Sequence, residues 1–399
     1  MNPNLNHLHP YPFEKLNQLK QGIAPPQNKT HIALSIGEPK HATPEIINKA
    51  LISHLDGIAK YPTTKGKPEL RLAIANWISQ RFDIPSTGIN AETQVLPVSG
   101  TREALFSFTQ AMIDPSKDPV VIMPNPFYQI YEGAAILAGA EPYYLNTTED
   151  SNYLPDFDSI PEKIWQRCQL IFICSPGNPT GEVISKEEQQ KLITLAEKHN
   201  FIIASDECYT EIYADENKPP QGLLQTAYEM GNKAFQHCII FHSLSKRSNA
   251  PGLRSGFVAG NAEILGKYFQ YRTYQGCALP ISTQYASIAA WKDETHVREN
   301  RDLYREKFTA FIDILQHVCS IRKPPASFYI WLQTSIDDTD FAQKLFEQEN
   351  ITVLPGSFLS RDSNGINPGK HHVRIALVAP MDECIEAANR IKNFINTLN

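Results

Sequence analysis

The chain alternates short apolar runs with longer stretches in which apolar residues recur every three or four positions. A short apolar run bounded by polar turn residues is typical of a strand buried on both faces, whereas the longer spacing is typical of an amphipathic helix. Strands that alternate with helices predict an α/β fold with a mostly parallel central sheet and helices on both faces. The predicted strands are 32–36, 95–98, 120–123, 170–174, 201–204, 238–241 and 257–259.

Helix boundaries follow from caps and prolines. We expect helices that begin at Thr43, with Pro44 at its first position, and at Pro68. A further helix over 186–198 is preceded by a predicted capping box, in which Ser185 pairs with Glu188. By contrast, four prolines between residues 5 and 36 should block regular structure there, apart from the short strand at 32–36.

The pattern changes after residue 290. A long charged amphipathic helix is predicted over about 295–318, followed by strands at 328–332, 351–354 and 372–377. We therefore expect a large domain of residues 45–290 and a smaller α+β domain. The smaller domain would combine the N-terminal segment 1–44 with the C-terminal part 291–399.

Composition excludes several classes of protein. With 42% hydrophobic and 20% charged residues and a net charge of −6, the composition is that of an ordinary soluble globular protein and argues against a nucleic-acid-binding protein. The longest uncharged stretch, 273–291, contains Gln, Ser, Thr and Pro and is not expected to span a membrane. Seven cysteines without a C-x-x-C pair give no metal or disulfide signal, and the first 13 residues lack the apolar stretch of an export signal. These features predict a cytoplasmic location.

The segment that follows the predicted strand 238–241 carries the clearest chemistry. It places Lys246 beside Arg247 and near Arg254 in a turn rich in Ser, Pro and Gly. A lysine amine attacks a carbonyl only when it is unprotonated, so a lysine that forms a Schiff base must be desolvated or lie beside other cations. We therefore interpret Lys246 as a Schiff-base lysine; the alternative is a solvated basic loop.

Other strand ends supply groups that suit pyridoxal phosphate. Asp206 can hold the pyridine nitrogen protonated, Asn178 and Tyr209 can donate to the ring hydroxyl, and Tyr128 can stack on the ring. Taken singly, Asp206 could instead be a helix cap and the tyrosines ordinary core residues. Because strand ends meet at one edge of a parallel sheet, these side chains are expected to lie together.

A phosphate group would need its own donors. The turn before the helix that opens at Arg102 offers the backbone N–H groups of Gly100 and Thr101, although Thr101 could be a plain N-cap. The hydroxyls of Ser243 and Ser245 and the guanidinium of Arg254 complete the predicted phosphate site.

Four motifs in chain order resemble the class I/II aminotransferases, which are pyridoxal-phosphate enzymes of fold type I. They are Asn178, Asp206 with Tyr209, Lys246 with Arg254, and Arg374, and successive anchors are separated by 28, 40, 8 and 120 residues. The resemblance covers nearly the whole chain. Residues 247–249 depart from it, since many relatives carry an aromatic residue there.

The resemblance implies further roles. Arg374 would bind the substrate α-carboxylate, and Gly37 would lie over the substrate. Tyr61 would reach the phosphate in the neighbouring subunit of a homodimer. Lys246 would move the proton between the substrate Cα and the cofactor during ping-pong transamination, with Asp206 and Tyr209 as the other catalytic residues.

Substrate identity rests on a closer resemblance. Segments 8–16, 34–41 and 327–332 are similar to the proteobacterial N-succinyldiaminopimelate aminotransferases of lysine biosynthesis, in which glutamate and the succinylated amino-oxo acid share one site. Lys40, Lys65 or Arg102 would then meet the distal carboxylate.

Other activities compete with this assignment. Another class I/II aminotransferase (aspartate, aromatic or LL-diaminopimelate) and a lyase, decarboxylase or synthase of the same fold remain open. The serine-acylation motif of penicillin-binding enzymes, here Ser243-x-x-Lys246, lacks its companion Ser-Asp-Asn and Lys-Thr-Gly motifs. A regulatory protein would be expected to carry a DNA-binding domain, for which the sequence gives no signal.

Overall fold

Across residues 1–398, which are those that the computed structural model describes, the chain is organised around a seven-stranded sheet. The strands of this sheet are β2 (Val95–Val98), β3 (Val120–Asn125), β4 (Glu141–Asn146), β5 (Cys168–Cys174), β6 (Ile202–Asp206), β7 (Cys238–Ser243) and β8 (Gly256–Gly260). Their order is β2-β8-β7-β6-β5-β3-β4, and β8 alone runs antiparallel to its neighbours. The mostly parallel sheet predicted from the apolar runs is confirmed.

Helices cover both faces of this sheet because the apolar runs bury alternate residues on opposite sides. In β5, Ile171 and Ile173 join one hydrophobic cluster, whereas Leu170 and Phe172 join the other. The helices from the first half of the chain are α1 (Pro12–Leu19), α2 (Glu45–Ile52), α3 (Pro68–Arg81), α4 (Thr101–Met112), α5 (Ile130–Leu137), α6 (Glu162–Trp165) and α7 (Lys186–His199). The next four are α8 (Leu223–Glu229), α9 (Leu244–Arg247), α10 (Ala262–Gln275) and α11 (Ile281–Lys292).

A further hydrophobic cluster, separate from the two on the faces of the large sheet, combines the N-terminal segment with the C-terminal part. The elements of this part are β1 (Ile32–Ala33), α12 (Thr295–Leu315), β9 (Tyr329–Gln333), α13 (Asp338–Glu349), β10 (Ile351–Thr352), β11 (Leu354–Pro355), β12 (His372–Ala376) and α14 (Met381–Leu398). Strand β1 pairs in parallel with β10, and a three-stranded antiparallel sheet has the order β11-β12-β9. The domain boundaries at 44/45 and 290/291 stay a prediction.

Several local predictions were wrong. Pro12 does not block structure but occupies the first position of α1, where its missing N–H costs nothing. Pro44 lies at the N-cap, so α2 begins at Glu45. The strand expected at 351–354 is divided between two sheets, as β10 and β11. Strand β4 and helix α5 were not predicted.

The caps explain two further boundaries. Ser185 accepts the Glu188 N–H at 3.2 Å, which is the half of the predicted capping box that forms within residues 1–398. Helix α4 takes Gly100 as its N-cap, so Thr101 is its first residue rather than its cap. None of the helices within residues 1–398 combines the length and apolar character needed to cross a bilayer.

Candidate active site

A cavity of about 440 Å³ opens where β6 and β7 end and α4 begins. Almost every side chain singled out from the sequence lines it, although these residues come from distant parts of the chain. The predicted residues in its wall are Gly37, Thr101, Tyr128, Asn178, Asp206, Tyr209, Ser243, Ser245, Lys246, Arg254 and Arg374.

Lys246 lies on α9, immediately after β7, and its amine enters this cavity. The Nζ donates a hydrogen bond to the carbonyl oxygen of Gly37 and lies 5.3 Å from the ring centroid of Phe328. Burial lowers the pKa of Lys246 to about 8, and the cations Arg374 and Arg254 act in the same direction, against Cys208 and Glu38. The amine is therefore far easier to deprotonate than an exposed lysine.

Arg247 does not contribute to this effect, contrary to the expectation that it would. Its guanidinium is buried away from the cavity, over the rings of Trp77 and Trp291, and forms an ion pair with Glu294. Its Nη1 also donates to the carbonyl oxygen of Ala290 at 2.8 Å. Arg247 therefore anchors the segment after Lys246 in the core.

Asp206 presents a buried carboxyl at the end of β6. Its Oδ2 accepts a hydrogen bond from Tyr131 Oη at 2.7 Å, and its Oδ1 accepts the Cys208 N–H at 3.3 Å. Burial raises the pKa of Asp206 despite these bonds. Within residues 1–398 the carboxyl has no cationic side chain within ion-pair distance, so a protonated pyridine nitrogen fits this position.

The N-terminus of α4 and the segment around Lys246 (residues 243–256, here called the Lys246 loop) meet at the cavity. Gly100 has φ +87° and ψ 151°, a conformation that favours glycine, and the Arg254 guanidinium packs against its Cα. On the facing loop, Ser243 Oγ donates to Ser245 Oγ at 3.0 Å. Backbone N–H groups, hydroxyls and a guanidinium at one helix N-terminus suit a phosphate.

Arg374 lies on β12 and is 4% exposed. Its Nη1 donates to Asn178 Oδ1 at 2.9 Å and its Nη2 donates to the carbonyl oxygen of Ser35 at 2.7 Å. Its buried Nε has no partner within residues 1–398. Since an unpaired buried donor costs free energy, a carboxylate ligand would complete this guanidinium.

The aromatic residues occupy defined positions around the cavity. Tyr209 Oη and Tyr329 Oη are 3.0 Å apart, and burial raises the pKa of Tyr209 far above its usual value. Tyr128 packs edge-on against Tyr131, with ring centroids 5.7 Å apart. Tyr61 is fully exposed and does not line the cavity of its own chain.

Only one of the three candidate cations for a distal carboxylate lies in the cavity wall. Lys40 is 3.8 Å from Glu383 and Lys65 is 2.5 Å from Glu92, both outside the cavity. Arg102 lines the cavity, and its guanidinium lies 5.3 Å from the ring centroid of Tyr11.

Sequence reasoning missed two tyrosines of the site. Tyr131 lies in the first turn of α5, three positions after Tyr128, but nothing local indicated that its hydroxyl reaches Asp206. Tyr329, in β9, meets Tyr209 only because the C-terminal part packs over the central sheet. Neither contact has a signal in local sequence spacing.

Comparison with known proteins gives one consistent family. The sequence model of the family described as aminotransferase class I and II matches residues 29–391. The LL-diaminopimelate aminotransferase of Aquifex aeolicus (strain VF5) is 34% identical over 396 residues, covering 98% of this chain and 97% of that protein.

Solved structures agree with the family match. An aminotransferase from Neisseria meningitidis is 50% identical, with a TM-score of 0.95 and coverage of 99% of this chain and 100% of that one. A probable N-succinyldiaminopimelate aminotransferase from Thermus thermophilus is 26% identical, with a TM-score of 0.83 and coverage of 96% and 99%.

Proposed function

The chain belongs to the class I and II aminotransferases, which use pyridoxal phosphate, and from this premise we propose that it transfers the amino group of glutamate to N-succinyl-2-amino-6-oxopimelate in lysine biosynthesis. The observation that carries the proposal is the amine of Lys246, with a pKa lowered to about 8, in one cavity with a buried acid and a buried arginine. That combination suits proton transfer at the Cα of a bound amino acid.

When bound, pyridoxal phosphate supplies an aldehyde that condenses with amines and a ring that withdraws electrons from the substrate Cα. Asp206 would hold the ring nitrogen protonated, since a buried carboxyl without a cationic partner favours a cation beside it. Tyr209 and the Nδ2 group of Asn178 would donate to the ring hydroxyl, and Tyr128 would stack on the ring. Tyr131 would orient Asp206 through its hydrogen bond.

The phosphate would be held at the start of α4. Gly100 and Thr101 would offer backbone N–H groups, Ser243 and Ser245 their hydroxyls, and Arg254 its guanidinium. Because Gly100 lacks a Cβ, Arg254 can approach the helix terminus closely.

Lys246 and Arg374 would act on the substrate. Arg374, held by Asn178 and by the Ser35 carbonyl group, would bind the α-carboxylate and so fix the direction of the Cα–H bond. The neutral Nζ of Lys246 would take the proton from Cα and return a proton in the second half of the reaction. Gly37 would lie over the substrate, where its carbonyl group contacts the same Nζ.

A homodimer is part of the proposal. Tyr61 is fully exposed and lies near other exposed apolar residues along the chain, namely Ile52, Leu55 and Ile58. Large exposed apolar groups close together are typical of a protein interface. We expect a second copy of the chain to cover them and Tyr61 to reach the phosphate in that copy.

A second candidate substrate is LL-diaminopimelate, because the Aquifex aeolicus relative carries that activity in its name. The two candidates differ in whether the amino group far from the reacting centre is succinylated. The amine of LL-diaminopimelate is a cation, whereas the succinylated group is neutral at that nitrogen and ends in a carboxylate.

The test is a substrate panel on the purified protein with pyridoxal phosphate. We expect glutamate to convert the visible absorbance band of the cofactor into the near-ultraviolet band of its amine form. N-succinyl-2-amino-6-oxopimelate should then restore the first band faster than oxaloacetate does. Turnover of LL-diaminopimelate with 2-oxoglutarate in preference to the succinylated compound would favour the second candidate. Release of ammonia when no 2-oxo acid has been added as amino-group acceptor would indicate a lyase and contradict both candidate functions.

A further inference from the structure

The cavity has a wall that the cofactor and the α-carboxylate do not account for. Among the lining residues without a role in those two sites are five apolar or aromatic side chains and one cation, Arg102. The apolar members are Tyr11, Phe13, Ile36, Leu354 and Leu359. Such a lining suits an aliphatic chain, and a cation in it suits an anion carried by that chain.

The guanidinium of Arg102 is free to bind an anion. It forms no ion pair with any residue in 1–398, and its described neighbour is the Tyr11 ring, at 5.3 Å. Arg361, by contrast, is already neutralised by a bidentate ion pair with Glu132, with N–O distances of 2.7 and 2.6 Å. Stacking on an aromatic ring leaves the edge of a guanidinium open for a carboxylate.

Arg102 is also held in a defined place. It lies in the first turn of α4, directly after Gly100 and Thr101, so the predicted phosphate site and Arg102 share one rigid helix end. Tyr11 is fixed from the other side, since it is the N-cap of α1 and its N–H donates to Glu14 Oε2 at 3.3 Å. The pair therefore joins the N-terminal segment to the large sheet.

We propose that Arg102, which lies over the ring of Tyr11, binds the carboxylate at the far end of a long dicarboxylic amino acid whose α-carboxylate lies on Arg374. Both arginines line the cavity, but Arg374 is 4% exposed whereas Arg102 is exposed, so a ligand that meets both would extend from the buried part of the cavity towards solvent. This inference rests on the proposed function, because it takes the substrate to be an amino acid bound through Arg374.

The test compares two amino acids of equal chain length that differ only in the distal carboxylate: L-2-aminopimelate and L-2-aminoheptanoate. The variant is Arg102→Gln, and the matched control is Lys65→Gln, which removes an exposed cation outside the cavity. The readout is the rate and the concentration dependence of the change in cofactor absorbance during the half-reaction.

We expect Arg102→Gln to lower kcat/KM for L-2-aminopimelate by about 10- to 100-fold, mainly through KM, because a charge-assisted bidentate contact is lost. The loss in kcat/KM for L-2-aminoheptanoate should be several-fold smaller. Lys65→Gln should leave the ratio of kcat/KM for the two amino acids as it is in the wild type. Arg102→Lys should recover part of the loss, because it keeps the charge without the bidentate geometry. Equal losses for both amino acids would overturn the proposal.

The outcome is separable from that of the proposed function. If the wild type reacts with L-2-aminopimelate but ignores the succinylated substrate, the metabolic assignment fails while the role of Arg102 is still measured. If the wild type changes the cofactor spectrum with no amino acid, both fail.

Discussion

The amine of Lys246 occupies a position where its charged form is disfavoured. Burial removes water from the ammonium group, and Arg374 and Arg254 repel it, whereas its hydrogen-bond acceptor among residues 1–398 is the Gly37 carbonyl oxygen. Because a neutral amine is the reactive form, the environment of Lys246 would, in its proposed role, decide the pH at which the protein captures an aldehyde.

The capture of pyridoxal phosphate by the cofactor-free protein should therefore rise with pH through about 8 and level off above it. The sign follows from the lowered pKa, because the neutral fraction of Lys246 grows as pH passes that value. Stopped-flow absorbance from about pH 6 to about pH 10 measures this, with Nα-acetyl-lysine as the control for the chemistry of the aldehyde itself. The free lysine should keep rising beyond about pH 9. A parallel course for the protein would contradict the lowered pKa, and Lys246→Ala should show no covalent capture.

At the same scale, the sequence identified residue types but not directions. In the sequence, Lys246, Arg247 and Arg254 lie close together and were expected to act as one basic cluster. In the structure the Arg247 side chain is only 2% exposed and forms an ion pair with Glu294. Which of two neighbouring cations faces the cavity depends on the packing of α9 against tryptophans distant in sequence, and no local pattern encodes it.

In the proposed function, helix α4 would contribute to two binding sites. Its N-terminus provides unpaired N–H groups and the positive end of the helix dipole, and its first turn presents Arg102 to the cavity. Gly100 makes the arrangement possible, because its backbone conformation is essentially restricted to glycine and the Arg254 guanidinium occupies the space of a Cβ.

Gly100→Ala should weaken the binding of pyridoxal phosphate by about tenfold or more, since the variant combines a strained backbone with a displaced Arg254. The control is Gly252→Ala, in the loop before Arg254, where φ is ordinary and a Cβ meets no atom within 4 Å. Equilibrium titration of the visible absorbance gives both affinities. If Gly100→Ala bound pyridoxal phosphate with unchanged affinity and with Arg254 in place, the proposal that the phosphate binds at the N-terminus of α4 would be wrong.

Element prediction succeeded where the pattern was strong. Apolar runs that were predicted to be strands buried on both faces, such as 170–174 and 238–241, correspond to β5 and β7. Their boundaries differ from the prediction by a few residues at most. It failed for β4, whose residues are mostly only partly buried, and for α1, where Pro12 is typical of a breaker unless the helix start is recognised.

Hydrogen bonds from distant parts of the chain support the backbone of the Lys246 loop. Asn300 Nδ2 on α12 donates to the Lys246 carbonyl oxygen at 3.3 Å, and its Oδ1 accepts from His41 Nδ1 at 2.8 Å. His41 Nε2 in turn accepts from Lys307 Nζ at 2.6 Å. The N-terminal segment, α12 and the Lys246 loop are thereby linked through one buried polar chain.

Lys307 is 2% exposed, and burial lowers its pKa to about 8 from an ordinary value of 10.5. Between these two pH values the unfolded chain binds more protons than the folded one, so the stability contributed by this site rises as pH rises. Below about pH 8 the buried ammonium carries its full desolvation cost.

The free energy of unfolding of Lys307→Met, relative to that of the wild type, should therefore be highest at and below about pH 8. This difference should fall by up to about 3 kcal/mol as the pH approaches 10.5, because the wild type gains stability over that interval. Urea unfolding curves at several pH values give the difference. Lys267→Met, at an exposed position on α10, serves as control and should show no such trend. A difference independent of pH would mean that Lys307 titrates normally.

The residues of the cavity could be chosen from the chain because they follow apolar runs, and the carboxyl ends of parallel strands must meet at one edge of a sheet. That rule needs only local periodicity, and it assembled Asn178, Asp206 and Lys246 correctly.

Packing between distant segments settled the rest. Only the folded chain places Arg102 in the cavity wall and Lys40 and Lys65 outside it. Folding likewise brings the Tyr131 hydroxyl to Asp206 and lowers the pKa of Lys246. Each of these depends on which side chains lie within a few ångströms of one another, and such proximity between residues far apart in sequence is created by tertiary packing.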